Sequence, residues 1–489
     1  SKMVVLGLSG FNPELVEGWL EDLPNLRKMQ EKGIWGKMES TVPPNIPQAW
    51  TCAQSSRNPG VFGFWDFRYR DEFSYGEFKT IDCTVKDQRV DCLYKILPTS
   101  GQKIATINMP VTWPPPRIPG GYSISSFMTP DLEKGFTWPK SLADEVQGLV
   151  GEYIIDVGEA GENYLQMEKD RALKRSYEVD AQRFTLLRHF IAKKQCDYVF
   201  AVITGCDRMS HLFYRFFDEE HKRYDPDSRY EKVLYDYYVW IDKQIGEIRD
   251  NLDEDTVLFV HSDHCVQRLD GRINLNEWLI QEGYMVLSEY PSEPIPFTEL
   301  KVDWSKTRAW ATGYSGQIYF NMKGREPEGI IDPGDYDRLL DKLIDKVKAI
   351  PDENGNALET RVFKRNEIYT GTFADYAPDL FIFFDECRWK TNEMVGFGPG
   401  NIYSFETPFG EDDGADGFYG YFCLAGPGIP ANGEHERASL LDIAPTVIDV
   451  MDLEIPKEME GKSLLGQEKP AHPPEDDHKI RSRLKALGY

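Results

Sequence analysis

The stretch Asp197-Tyr198-Val199-Phe200-Ala201-Val202-Ile203-Thr204-Gly205-Cys206-Asp207-Arg208-Met209-Ser210-His211 decides the fold. Its first half is a continuous apolar run of strand length with no polar alternation. A strand of that kind is covered on both faces, the condition met in a parallel sheet. The second half turns polar at once. Asp207 and His211 stand four apart, so a helical turn places both on one face. The strand thus ends in chemically active side chains, as strands of open α/β sheets do at their C-terminal ends.

Six further runs read as strands: Met3–Leu8, Lys103–Asn108, Thr256–His261, Gln317–Asn321, Asp379–Phe384 and Gly420–Ala425. The amphipathic segments Pro13–Lys32, Pro139–Leu149, Lys169–Lys194, Tyr230–Leu252, Pro333–Ile350 and Ser439–Met451 read as helices. Strands separated by long helices need crossover connections. The expectation is an α/β fold with a large, mostly parallel central sheet and helices on both faces. It spans residues 1–465, and the Pro- and charge-rich stretch 466–489 reads as a C-terminal tail.

With 489 residues, 41% of them hydrophobic, the chain can bury a large core. Asp and Glu number 81 against 56 Lys and Arg, a formal charge of −25. That balance argues against a general nucleic-acid binder, which needs cations to neutralise phosphates. A small anionic substrate needs only a local cation or a metal and stays open. The eight cysteines form no Cys-x-x-Cys pair, which argues against a zinc ribbon. No apolar stretch reaches the roughly 18 residues of a membrane span. The chain reads as a soluble, cytoplasmic protein without a membrane partner, and its sequence carries no sign of oligomeric state.

Four polar clusters follow the predicted strands. Asp207 and His211 suit a divalent metal, although such a pair taken alone reads first as an N-cap carboxylate beside a packed imidazole. His261-Ser262-Asp263-His264-Cys265 sets two imidazoles, a carboxylate and a thiol at one strand end, a dense supply of metal ligands in a chain with eight histidines. Glu411-Asp412-Asp413-Gly414-Ala415-Asp416 taken alone reads as a solvated acidic turn. The Pro-rich loop Thr41-Val42-Pro43-Pro44-Asn45-Ile46-Pro47-Gln48-Ala49-Trp50-Thr51 enters a helix, a place that can hold a nucleophile or bind an anion.

The order of these clusters, together with Asn58-Pro59-Gly60, Asn108-Met109-Pro110, Asn274-Leu275-Asn276-Glu277-Trp278-Leu279 and Gly426-Pro427-Gly428-Ile429, resembles the alkaline phosphatase superfamily. The likeness is to the type I phosphodiesterase/nucleotide pyrophosphatase-like phosphohydrolases and runs from Val4 to about Leu465. The resemblance implies a two-metal site and a Thr or Ser nucleophile. By position, one metal falls to Asp207, His211 and a late residue. The other falls to a residue after the first strand, the nucleophile, Asp263 and His264. The resemblance also implies cap insertions, placed near 68–100, 159–182 and 289–324, that select a small phosphorylated or nucleotide-like substrate.

The chain departs from this pattern at the chemistry itself. Ser9 stands where the family has Asp, Ile46 where it has the nucleophile, Asp416 where it has the late His, and Phe62 where it has a further His. Ile46 has no atom that attacks phosphorus. One metal held by Asp207, His211 and Asp416 then suits Mn²⁺, Mg²⁺ or Fe²⁺ more than Zn²⁺, and a composite site with His264 is equally consistent. His261 and Cys265, unusual beside the retained pair, are candidates for altered acid–base or thiol chemistry, and the Thr51 hydroxyl for a substitute nucleophile. Two functional readings follow. One is a metal-dependent phosphohydrolase or phosphodiesterase with a modified site, including a form repurposed to non-hydrolytic chemistry. The other is an inactive family member that binds a ligand or partner.

Overall fold

Strands that must hide both faces pair side by side at the centre of the molecule. The computed structural model describes residues 1–159, 161–313, 315–405 and 410–466. Its central sheet has ten strands. Nine run in the order Gly433–Glu434, Gly33–Glu39, Tyr419–Ala425, Thr256–His261, Lys2–Leu8, Tyr198–Ile203, Ile104–Ile107, Tyr122–Ile124 and Thr137–Trp138, and Ala438–Ser439 also pairs with Gly33–Glu39. The five strands from Thr256–His261 to Tyr122–Ile124 are mutually parallel, and Met3 faces Tyr198 where Leu8 faces Ile203. The expected large, mostly parallel sheet is therefore present.

Side chains alternate along each strand and feed two cores. Val4, Leu6 and Leu8 pack with Val179, Phe184, Met209 and Tyr237 of the helices on one face. Met3 and Val5 pack with Trp50, Leu97, Ile443 and Val447 of the helices on the other. The expected helix Pro13–Lys32 is two helices, Pro13–Trp19 and Pro24–Lys32, joined by a 3-10 turn. Pro24 has no N–H to continue the first helix and begins the second, where none is needed.

The strands Gln317–Phe320 and Leu380–Phe384 do not join the central sheet. They belong to a separate seven-stranded sheet with Ala309–Thr312, Thr360–Lys364, Trp389–Asn392, Gly271–Asn274 and Tyr403–Ser404. Most of its pairings are antiparallel, and it has its own apolar core around Trp310, Tyr319 and Phe384. A two-stranded ribbon, Cys265–Arg268 against Gly414–Gly417, sets Val266 opposite Asp416 and so carries Asp416 to the end of the central strand Thr256–His261. Residues 467–489, most of the expected tail, lie outside the described residues. Among the described residues no helix is long and apolar enough to cross a membrane.

Helix Gly205–Phe213, which carries Asp207 and His211, sits directly on helices Lys169–Lys193 and Val233–Arg249. A Cβ on Gly205 would lie 1.9 Å from both Asp180 Oδ2 and Tyr237 Oη, so only glycine permits this approach. Asp180 is fully buried, and its Oδ2 accepts the Tyr237 hydroxyl. Burial pushes its carboxyl up to about 7 from an ordinary 3.8. The folded chain therefore holds this proton more tightly than the unfolded one. The stabilisation is complete below about pH 4 and is lost as pH rises to about 7. Asp180→Asn has no proton to lose there, so its stability relative to the wild type is predicted to rise by about 3 kcal/mol across that window and stay level above it. Urea midpoints of both proteins between about pH 4 and 8 check this, and a difference independent of pH would contradict it.

Candidate metal centre

Three chain segments converge at the C-terminal edge of the central sheet. Helix Gly205–Phe213 supplies Asp207 and His211, the turn after strand Thr256–His261 supplies Asp263 and His264, and the ribbon supplies Asp416. The i, i+4 spacing sets His211 Nε2 3.6 Å from Asp207 Oδ1. His211 Nε2 also lies 3.1 Å from Asp416 Oδ1. His264 Nε2 lies 3.3 Å from Asp207 Oδ1 and 3.6 Å from Asp416 Oδ1. Two carboxylates are thus shared by two imidazoles. Ligand atoms of Asp207, His264 and Asp416 fall within 4.8 Å of one another, the one such trio among the described residues.

The electrostatics favour a cation here. Burial opposes charging Asp207, but His211, His264 and Arg208 outweigh it and hold its carboxyl well below the usual range. Asp416 is likewise held low against burial by Lys390, His211 and His264. Burial also opposes protonation of His264, yet Asp263, Asp207 and Asp416 hold its imidazole well above the usual range. Both ring nitrogens of His264 are buried without a hydrogen-bond partner, although carboxylates stand close by. Orphaned imidazole nitrogens facing ionised carboxylates are a donor set that fits a divalent ion.

Asp412 fixes His211 from behind. His211 Nδ1 lies 2.7 Å from Asp412 Oδ1, while Arg272 and Lys390 each lie 3.1 Å from Asp412 Oδ2. The expected solvated acidic turn is instead buried at Asp412 and Asp413. The imidazole can pair with Asp412 and the cations with its other oxygen, which lets the carboxylate enter. Asp412, Arg272 and Lys390 went unread in the sequence, because they meet through strand pairings between remote segments. The local spacing of Asp412 to Gly414 was the available hint.

At the position of a second ion the arrangement differs. Ser9 Oγ donates to Asp263 Oδ2 at 3.1 Å, and the Gly10 N–H donates to Oδ1 at 3.2 Å. Asp263 is fully buried, tied to this loop and to His264 Nδ1 at 3.0 Å. Ile46 begins helix Ile46–Ser55 behind Asn45 and faces the cavity without a nucleophilic atom. Phe62 packs on Phe64 at 4.5 Å between ring centres.

The three residues expected to act in catalysis have surroundings of their own. Thr51 Oγ1 donates to Pro47 O within its own helix. His261 packs against Trp50 and Phe200, and burial pushes its imidazole down to about 4. Burial raises the Cys265 thiol to about 11, away from thiolate chemistry. None of the three lines the cavity over the centre. Sequence adjacency to Asp263 and His264 does not bring His261 and Cys265 to that opening.

That cavity measures about 520 Å³ and lies between the central sheet edge and the second sheet. Asp207, His211 and Asp416 form part of its wall, with Arg208, Arg272 and Lys390 beside them. The segments 68–100, 159–182 and 289–324 each reach it, through Arg68, through Asn163 to Leu165, and through Pro296 and Gly313.

A family model described as type I phosphodiesterase / nucleotide pyrophosphatase matches residues 3–396. No curated protein matches the sequence. Among solved structures, human ectonucleotide pyrophosphatase/phosphodiesterase 5 superposes with a TM-score of 0.52 at 12% identity, covering 93% of this chain and 96% of that one. Phosphonoacetate hydrolase from Sinorhizobium meliloti 1021, solved with phosphonoacetate, superposes at 0.56 with 14% identity, covering 90% and 93%. Identities this low carry the fold.

Gly10 anchors the loop that holds Asp263. Its φ is +74°, and a Cβ there would lie 2.7 Å from Asp207 Cα and 2.9 Å from Val266 Cγ2. Gly10→Ala is therefore predicted to destabilise the fold by about 2–4 kcal/mol through backbone strain and the clash with helix Gly205–Phe213. Denaturant unfolding measures this, and a change under about 0.5 kcal/mol would show that the loop has room to move.

Proposed function

The chain belongs to the type I phosphodiesterase/nucleotide pyrophosphatase family, and from that premise we propose that it is a phosphohydrolase with one metal centre and no enzyme nucleophile. Asp207, His211, His264 and Asp416 hold the ion, and a small phosphorylated substrate enters the cavity above them. The observation that carries this reading is the ring of two carboxylates and two imidazoles, of which Asp207, His211 and Asp416 reach the cavity wall and His264 lies buried behind them, beside a helix start occupied by Ile46. A divalent ion bound there supplies Lewis-acid stabilisation of phosphoryl charge and an activated water.

The chain's own residues do the rest. The first turn of helix Ile46–Ser55 lines the cavity, and its N–H groups have no side-chain cap, a setting that favours an anionic phosphoryl group. Arg208 braces Asp207 at 2.7 Å and pairs with Asp156 on its other side. Asp412 orients His211, and the Arg272 and Lys390 charges beside it favour the anionic end of a substrate. The reaction joins water oxygen to phosphorus and releases an alcohol that takes up a water proton. The segments 68–100, 159–182 and 289–324 act as caps on a domain spanning 1–465. The phosphonoacetate of the hydrolase relative is a phosphonate, which shares with the substrate class we infer a small size and an anionic phosphorus group. All eight cysteines are free and buried, which accords with a cytoplasmic setting.

The inactive-member reading draws on Ser9 bonded to Asp263 and on Ile46. One experiment separates the two. The Mn²⁺-loaded protein is expected to hydrolyse an aryl phosphate ester, with no acid-stable phosphoenzyme trapped on quenching, and His264→Ala is expected to lower kcat/KM about 100-fold. Absence of turnover with Mn²⁺, Mg²⁺, Fe²⁺ and Zn²⁺ alike favours the inactive member. A stoichiometric phosphoenzyme overturns the nucleophile-free route.

A further inference from the structure

The cavity wall holds polar groups that neither the metal centre nor the residues behind it use. Strand Trp389–Asn392 ends at Asn392, 7% exposed, whose Nδ2 is buried with no partner while its Oδ1 accepts the Met394 N–H. Just behind that wall Gln317, 2% exposed, turns its Nε2 toward Asp66. Two half-buried carboxylates line the same wall. Glu393 accepts the Gly313 N–H through Oε2 at 2.6 Å, and Asp66 accepts the Phe67 N–H through Oδ1 at 2.6 Å.

Gly313 lies among these groups. A Cβ there would lie 3.2 Å from Gln317 Nε2 and 3.4 Å from Asp66 Oδ2. Glycine thus leaves a niche with an amide donor on one side and a carboxylate acceptor on the other. Phe67 adds a ring face to the cavity wall.

We propose that this niche, built from Asp66, Gln317, Asn392 and Glu393 around Gly313, binds the polyhydroxylated alcohol portion of the substrate, a sugar or cyclitol phosphate. A hydroxyl both donates and accepts, so it satisfies a carboxylate and an amide N–H at once. An ammonium group donates only. It would suit Asp66 and Glu393 but leave the buried Asn392 donor unpaired, which is costly. An alkyl group would leave the Asn392 donor unpaired and offer the two carboxylates no donor. The Phe67 ring on the cavity wall suits the C–H face of a sugar ring, whereas the Tyr164 ring is stacked with Arg208.

This inference rests on the phosphohydrolase reading, and two measurements keep their failures apart. The first compares kcat/KM of the Mn²⁺-loaded full chain on a hexose phosphate, phosphocholine, a nucleoside monophosphate and an aryl phosphate. The hexose phosphate is expected to exceed phosphocholine and the nucleotide by about tenfold or more. Asn392→Ala is expected to lower the hexose-to-aryl ratio about tenfold, the scale of one lost buried hydrogen bond. Phosphocholine or the nucleotide matching the hexose phosphate overturns the niche, as does an unchanged ratio in Asn392→Ala. The second measurement is saturation-transfer NMR of the hexose phosphate on metal-free protein, with Glu393→Gln as an independent variant. If no ester is cleaved, the phosphohydrolase reading fails and NMR alone judges the niche. Transfer to the sugar protons that weakens in both variants supports it, and transfer that is absent or unaltered overturns it.

Discussion

Burying two carboxylates demands compensation, and the way this chain meets that demand organises the whole centre. Asp207 is buried and Asp416 half-buried, each within 3.6 Å of both His211 and His264. Charges taken out of water persist only when paired and hydrogen bonded. The helix must therefore begin close against Asp180 and Tyr237, the ribbon must hold Asp416 in register with Val266, and Asp412 must fix His211 from behind. Each part of the fold near the cavity follows from holding these four side chains together.

The same constraint explains why one centre is favoured over two. Asp263 has satisfied its oxygens with Ser9 Oγ and the Gly10 N–H, while His264 reaches across to Asp207 and Asp416. The Ser9 hydroxyl beside Asp263 supplies no negative charge for a second divalent ion, and Ile46 at the helix start carries no nucleophilic atom. The departures at Ser9, Ile46 and Asp416 are thus mutually consistent.

Much of the central sheet was legible because buried parallel strands read as unbroken apolar runs, as in Tyr198–Ile203. Gly33–Glu39 was not, because its partly exposed residues break the run. The second sheet was misassigned, since Gln317–Phe320 and Leu380–Phe384 look like central strands and only their non-local, antiparallel pairing sets them apart. At the site, Asp207, His211, His264 and Asp416 were visible as polar residues at strand ends. Arg272, Lys390 and Asp412 were not, because residues 140 and 22 positions from Asp412 meet it only after both sheets have formed. His261 and Cys265 are the converse case. They neighbour the ligands in sequence, but the cavity does not open onto them.

The number of divalent ions bound per chain tests this account most directly. Titration of the metal-free protein with Mn²⁺, followed by elemental analysis after desalting, is predicted to give one ion per chain, with Ser9→Asp raising the count toward two. Two ions in the unaltered chain, or one ion retained undiminished in the Asp207→Asn/Asp416→Asn double variant, would contradict it.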